Sequence, residues 1–86
     1  MGISDYTLED KVSVYPNPAH NYLVISSEEG VRICQYALYS TDGKLLHTVP
    51  VANLPMRVPV ANLTNGIYFL EIICDEGVLI KKIVKK

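Results

Sequence analysis

The chain has 86 residues, 49% hydrophobic and 20% charged, with a formal net charge of −1 and two cysteines. That length gives one domain, and the composition excludes an intrinsically disordered segment. A near-neutral charge gives no reason to expect nucleic-acid binding, and no apolar run approaches the ~20 residues of a membrane-spanning helix.

Residues 1–11 are polar apart from Ile3, Tyr6 and Leu8 and read as a linker, or upstream segment, leading into a domain over 12–86. They contain no apolar stretch of the kind a secretory signal peptide needs. From residue 12 onward a period-two alternation dominates. Enrichment in β-branched and aromatic residues predicts about seven strands, at 12–15, 22–26, 32–40, 43–49, 56–60, 66–73 and 77–84. The first two are separated by Tyr15-Pro16-Asn17-Pro18. Proline fixes φ, lacks a donor and pushes the preceding residue toward extended geometry, so this stretch must leave the ladder. Asn17 suits a turn because its side chain bonds nearby backbone.

Four further turn signals follow: Glu28-Glu29-Gly30, Thr41-Asp42-Gly43, Asn65-Gly66 and Asp75-Glu76-Gly77. Asp-Gly and Asn-Gly permit the positive φ that tight hairpins demand. The spacing predicts an all-β, Ig-like sandwich of two antiparallel sheets, with no helix longer than a turn. Expected core positions are Val14, Leu23, Ile25, Tyr36, Leu38, Leu63, Tyr68, Leu70 and Ile72. The strand at 66–73 is apolar on both faces, which predicts a central strand covered on both sides; the alternative is a patch that something else covers. A short echo, "VPVANL" at 49–54 and again at 58–63, is too closely spaced for a repeat architecture.

Cys34 and Cys74 fall on strand-like runs with no zinc spacing, which predicts buried free thiols. A single bridge is the alternative if the two strands are neighbours. His20 and His47 have no nucleophile context, the acids sit mostly in turns, and no phosphate-binding glycine loop is present. No enzyme activity, metal or cofactor is therefore expected. Charge is divided unevenly: Lys81, Lys82, Lys85 and Lys86 close a chain whose first 80 residues carry nine acidic and four basic side chains. Lys85 and Lys86 lie beyond the last apolar residue, Val84, and are expected to be exposed.

Four features occur in fixed order: "YPNPA" at 15–19, "DGK" at 42–44, "NLTNGIYFLEI" at 62–72 and "KKIVKK" at 81–86. This order resembles the type A C-terminal sorting domain of the type IX (Por) secretion system, over residues 12–86. In that family a proline-asparagine-proline turn is followed by a strand, a tyrosine such as Tyr39 precedes a Gly-Lys turn, and a Gly-X-Tyr step matches Gly66-Ile67-Tyr68. The chain departs from the pattern at Ser40, where members often carry an acidic or amide residue.

The resemblance implies a C-terminal signal that directs a larger cargo protein, fused at its N-terminal side, across the outer membrane. The implied partners are the type IX translocon and a sortase-like cysteine peptidase that cuts before the domain and joins the cargo to surface lipopolysaccharide. The implied location is the periplasm in transit, then the cell surface or outside. Candidate recognition residues are Pro16, Asn17, Pro18, Gly66, Tyr68, Lys82, Lys85 and Lys86, of which the lysines are the strongest because a fold does not need four clustered like charges. The competing function is an accessory adhesion or carbohydrate-binding sandwich, which aromatics exposed on one face would favour.

Overall fold

Alternation of apolar and polar side chains sends every second residue of each strand toward one face, and two such faces closed on each other make the core. The computed structural model describes residues 8–86. A one-turn helix α1 (Leu8–Lys11) leads into β1 (Val12–Tyr15), β2 (Tyr22–Ser27), β3 (Ile33–Ser40), β4 (Leu45–Pro50), β5 (Met56–Pro59), β6 (Gly66–Cys74) and β7 (Gly77–Lys85). Each expected strand is present, its ends displaced by two residues at most. The strands form two antiparallel sheets, ordered β1-β2-β5 and β4-β3-β6-β7.

Leu23, Ile25 and Val58 of the first sheet meet Tyr36, Leu38, Leu70, Ile72 and Ile83 of the second, all buried. Register builds this layer in pairs, with Leu23 opposite Val58, Leu38 opposite Leu70 and Tyr36 opposite Ile72. Burial raises the pKa of the Tyr36 phenol. Val14 and Leu63 sit at the margin, half-buried against the cluster. Leu8 also packs there, and the pairs Lys11–Glu76 (3.8 Å) and Lys81–Glu9 (3.9 Å) flank the short helix. Exposed pairs of this kind contribute little, so Leu8 is the main anchor.

Only two of the four turn signals join strands within a sheet. Residues 41–44 link β3 to β4, and Asp75-Glu76 links β6 to β7. Glu28-Glu29-Gly30 and Asn65-Gly66 instead lie on crossovers between the sheets. Gly66 has φ +153° and opens β6; nothing lies within 4 Å of a Cβ placed there, so its requirement is for backbone freedom and not for space. The "VPVANL" echo does the same work twice. Each copy ends a strand at its proline, returns the next valine to a neighbouring segment (Val51 N–H to Cys34 C=O, Val60 N–H to Asn21 C=O, both 2.9 Å), and brings a leucine back to the core.

β6 is central in its sheet, as expected, but its second face is not covered. Tyr68, Leu70, Ile72 and Cys74 are buried, whereas Phe69 and Ile73 are half-buried and Ile67 is exposed. Among the described residues nothing lies over that face, which is therefore the patch of the alternative reading.

Both thiols are free although their strands are paired, but only Cys74 is buried as expected; Cys34 is exposed. Cys34 is the extra residue of a bulge between Ile33 and Gln35. Burial raises the Cys74 pKa, helped by the negative groups of Asp75, Cys34 and Glu76. A thiol reagent should therefore label one cysteine in the native protein and two in denaturant; no labelling of either form would show a bridge. Leu70→Ala should cost about 2–5 kcal/mol in urea unfolding, through lost burial and the cavity left behind.

Candidate recognition site at the C-terminal strand

β7 is an edge strand, and an edge presents main-chain groups that pair with another chain unless they are occupied. The Pro16-Asn17-Pro18 turn occupies them. Asn17 Nδ2 donates to the Lys82 carbonyl at 3.0 Å, while Asn17 Oδ1 accepts the Val84 N–H at 2.9 Å. Two residues on, the main chain takes over: Ala19 N–H donates to the Val84 carbonyl at 2.8 Å and the Ala19 carbonyl accepts Lys86 N–H at 2.9 Å. Ala19 and Lys85 thus form a parallel bridge.

The first of these two steps is made by a side chain. In a parallel ladder one residue bonds the carbonyl before and the N–H after its partner. The Asn17 carboxamide supplies that donor and acceptor, flanking Ile83, between two prolines that have no N–H to give. Aspartate would lose the donor, and serine would present one oxygen in place of two groups. His20 extends the seam, its Nδ1–H donating to the Lys86 main-chain oxygen at 3.0 Å. The two X–Pro bonds of the turn are cis.

β6 supports β7 from its other side. Gly66 stands opposite Lys85 and Tyr68 opposite Ile83. Tyr68 is buried, and its hydroxyl donates to the Thr64 carbonyl at 2.7 Å, which anchors the crossover to the strand. The β3–β4 turn closes the same end. Thr41 Oγ1 donates to the Ile67 carbonyl at 2.5 Å, and Ser40 Oγ donates to the Asp42 carboxylate. That last bond holds the Asp42 carboxyl below the ordinary carboxylate range, with backbone donors and Lys44 assisting.

The eight sequence-derived candidates therefore gather at one end of the sandwich, though not on one surface. Pro16, Asn17, Pro18, Gly66, Lys82 and Lys86 are exposed, while Tyr68 and Lys85 are buried. Lys85 is a correction to the expected exposed tail. It occupies an inner-face position, only 8% exposed, opposite a glycine that offers no side chain and beside fully buried Ala19. Its aliphatic stem is packed and its ammonium reaches the Lys86 main-chain oxygen at 3.5 Å. Sequence reasoning missed Ala19, His20 and Thr64, each of which binds through or beside main-chain groups and carries no compositional signal. Among the described residues no three metal-ligating side chains come together.

The first loop of this antiparallel sandwich is fastened to its last strand, with cations exposed along the seam. The secretion system C-terminal sorting domain family matches residues 13–86, and the chain belongs to that family, the sorting domains of type IX secretion. It is accordingly a sorting tail that accompanies a cargo in secretion to the cell surface or outside. Among curated proteins none matches the chain. No helix among the described residues is long and apolar enough to cross a membrane.

Asn17→Ala leaves the Lys82 carbonyl and Val84 N–H to water and should cost roughly 1–2 kcal/mol for two partly solvated bonds. Amide exchange at Val84 and Lys86 should accelerate in the same variant. Unchanged protection at both would mean that Asn17 does not hold the edge.

Proposed function

We propose that the domain is read as a folded unit by the outer-membrane translocon of the type IX system. The cargo, fused ahead of it and delivered to the periplasm by a separate N-terminal signal, crosses the outer membrane with it. A sortase-like cysteine peptidase then cuts before the domain and joins the cargo to surface lipopolysaccharide. The observation that carries this reading is the seam itself: the exposed Pro16-Asn17-Pro18 turn is hydrogen-bonded to the strand that displays Lys82 and leads into Lys86. Two motifs that are 65 residues apart in the chain become one feature. Exposed lysines on an otherwise acidic domain favour an acidic partner surface, whose attraction speeds encounter.

The buried stem of Lys85 separates structure from recognition. Lys82→Ser with Lys86→Ser removes two exposed charges and should leave the melting temperature nearly unchanged, since such charges contribute under ~1 kcal/mol each. A reporter carrying the whole chain at its C-terminus should then accumulate in the periplasm of a host that has the translocon. Lys85→Ser should instead lower stability by about 1–2 kcal/mol through lost packing of its methylenes. Surface delivery of the doubly substituted reporter, equal to that of the parent, would remove the lysines from recognition.

A second reading rests on the outer face of the first sheet. Tyr15 (48% exposed) and Tyr22 (38%) lie there, with the Arg57 guanidinium 4.4 Å from the Tyr22 ring centre. Exposed aromatics suit a carbohydrate platform, but Arg57 already occupies one face of Tyr22. Retention of the reporter on polysaccharide in a host without the translocon would favour this reading.

A further inference from the structure

Cys34 and Cys74 are the two cysteines of the chain, and the bulge between β3 and β6 decides where their side chains go. Against β4 the register of residues 34–36 is unbroken. Tyr36 stands opposite Val49, Gln35 stands opposite Pro50, and the Cys34 carbonyl accepts the Val51 N–H at 2.9 Å. Side chains two apart in a regular stretch share a face, so Cys34 lies on the inner face with buried Tyr36. Against β6 the register slips. Ile33 stands opposite Cys74 and Gln35 opposite Ile73, which leaves Ile33 and Cys34 together facing Cys74. Ile33 and Cys74 are both buried on that same inner face.

The bulge therefore sets both sulfurs on one side of the sheet and on neighbouring strands. Residues opposite one another in an antiparallel pair have Cα atoms about 4.5–5.5 Å apart, within the roughly 4.4–6.8 Å that a disulfide spans. A regular ladder would have denied this, because without the extra residue Cys34 would point to the face opposite that of Ile33 and Cys74. The two thiols differ in access. Cys34 is exposed near the start of β3, at the margin of the inner face, and Cys74 is buried. Burial raises the Cys74 pKa, and the negative groups of Asp75, Cys34 and Glu76 add to it, so Cys34 is near enough to be felt. Cys34 is the thiol that meets a reagent first.

We propose that Cys34 and Cys74 are a thiol pair that closes into a disulfide by exchange with an external disulfide, stapling β3 to β6. The Cys34 thiolate attacks one sulfur of the donor R–S–S–R, forms a mixed disulfide and releases RS⁻, which takes up the proton. The Cys74 sulfur then attacks Cys34 Sγ. The mixed S–S bond breaks, the Cys34–Cys74 bond forms, and the second RS⁻ leaves and is protonated. Two protein thiols are oxidised and the donor is reduced to two R–SH, so no further reactant is needed. The staple encloses residues 35–73, and crosslinking a loop of that length disfavours the unfolded chain. Cys74 ends β6 at the opposite end from Gly66 and the seam, so the bridge is tested apart from sorting.

The experiment takes the full chain, reduced and then freed of reductant, and incubates it with oxidised glutathione under native conditions. Intact mass and the thiols reactive in denaturant are read. The expected product is a monomer lighter by two hydrogens, with no reactive thiol, returned to its starting mass by dithiothreitol. Its melting temperature should exceed that of the reduced chain by about 10 °C. Cys74→Ala should stop the reaction at its first step, with one glutathione left on Cys34. Cys74→Val, which keeps the buried site filled, should do the same and serves if the alanine variant unfolds. A parent chain that keeps one glutathione, a disulfide-linked dimer, or a bridge that forms only in urea would overturn the proposal. So would a bridged chain that melts no higher than the reduced one, because closing the bond would then distort the strands it is inferred to staple.

Discussion

The carboxamide of Asn17, laid along the edge of the last strand, is the contact on which this end of the molecule depends. An edge strand must be paired, covered or blunted, and here the cover comes from the opposite end of the chain. The choice of residues follows from the geometry. Prolines on both sides cannot donate to a ladder, so the donor and acceptor must come from a side chain, and a short amide carries both. Once Asn17 is seated, Ala19 reaches Val84 and Lys86 through its own main chain. Ala19 is then buried, the Lys85 stem lies beside it, and the glycine opposite Lys85 leaves that stem room.

This arrangement ties local chemistry to a long-range requirement. The terminal lysines hold their positions only because β7 is paired to β6 on one side and fastened to the 16–19 segment on the other. Contacts so distant in sequence form only after most of the intervening chain has closed, since loop-closure entropy must be met first. On the proposed reading, a translocon that recognises both the turn and the lysines recognises completed folding. A fragment holding either motif alone would offer neither the geometry nor the charge display.

Much of the fold was legible because alternation is a local signal and the strands obey it. Which turns were hairpins was not. Asn65-Gly66 and Asp42-Gly43 look alike in sequence, since each reports only that a positive φ is available. Whether the chain then pairs with itself or crosses to the other sheet is decided by burial of whole faces. The site was legible as a set of motifs and not as an assembly: nothing local to Asn17 says that its partner is Lys82. Lys85 misled for a physical reason. Its charge predicts solvent, but four methylenes will pack wherever a missing side chain opposite and a small neighbour leave space.

The two outer faces show how differently the same strand pattern can be spent. On the first sheet the outward row is Ser13, Tyr15, Tyr22, Val24, Ser26, Arg57 and Pro59, for the most part side chains that water tolerates. On the second, outward positions of β6 and β7 hold Ile67, Phe69, Ile73, Val78, Ile80 and Val84, with Glu71 and Lys82 the two charged exceptions. Folding does not require this, because Leu70, Ile72 and Ile83 already supply the buried layer behind those strands. β-propensity accounts for branched residues at such places, but threonine would serve it equally well without the exposed apolar area. A contiguous apolar face on a small domain favours association. β7 carries both the seam and part of this apolar face. Its inward residues and edge hydrogen bonds hold the fold, whereas its outward residues Val78 and Ile80 stay exposed and add nothing to the buried layer.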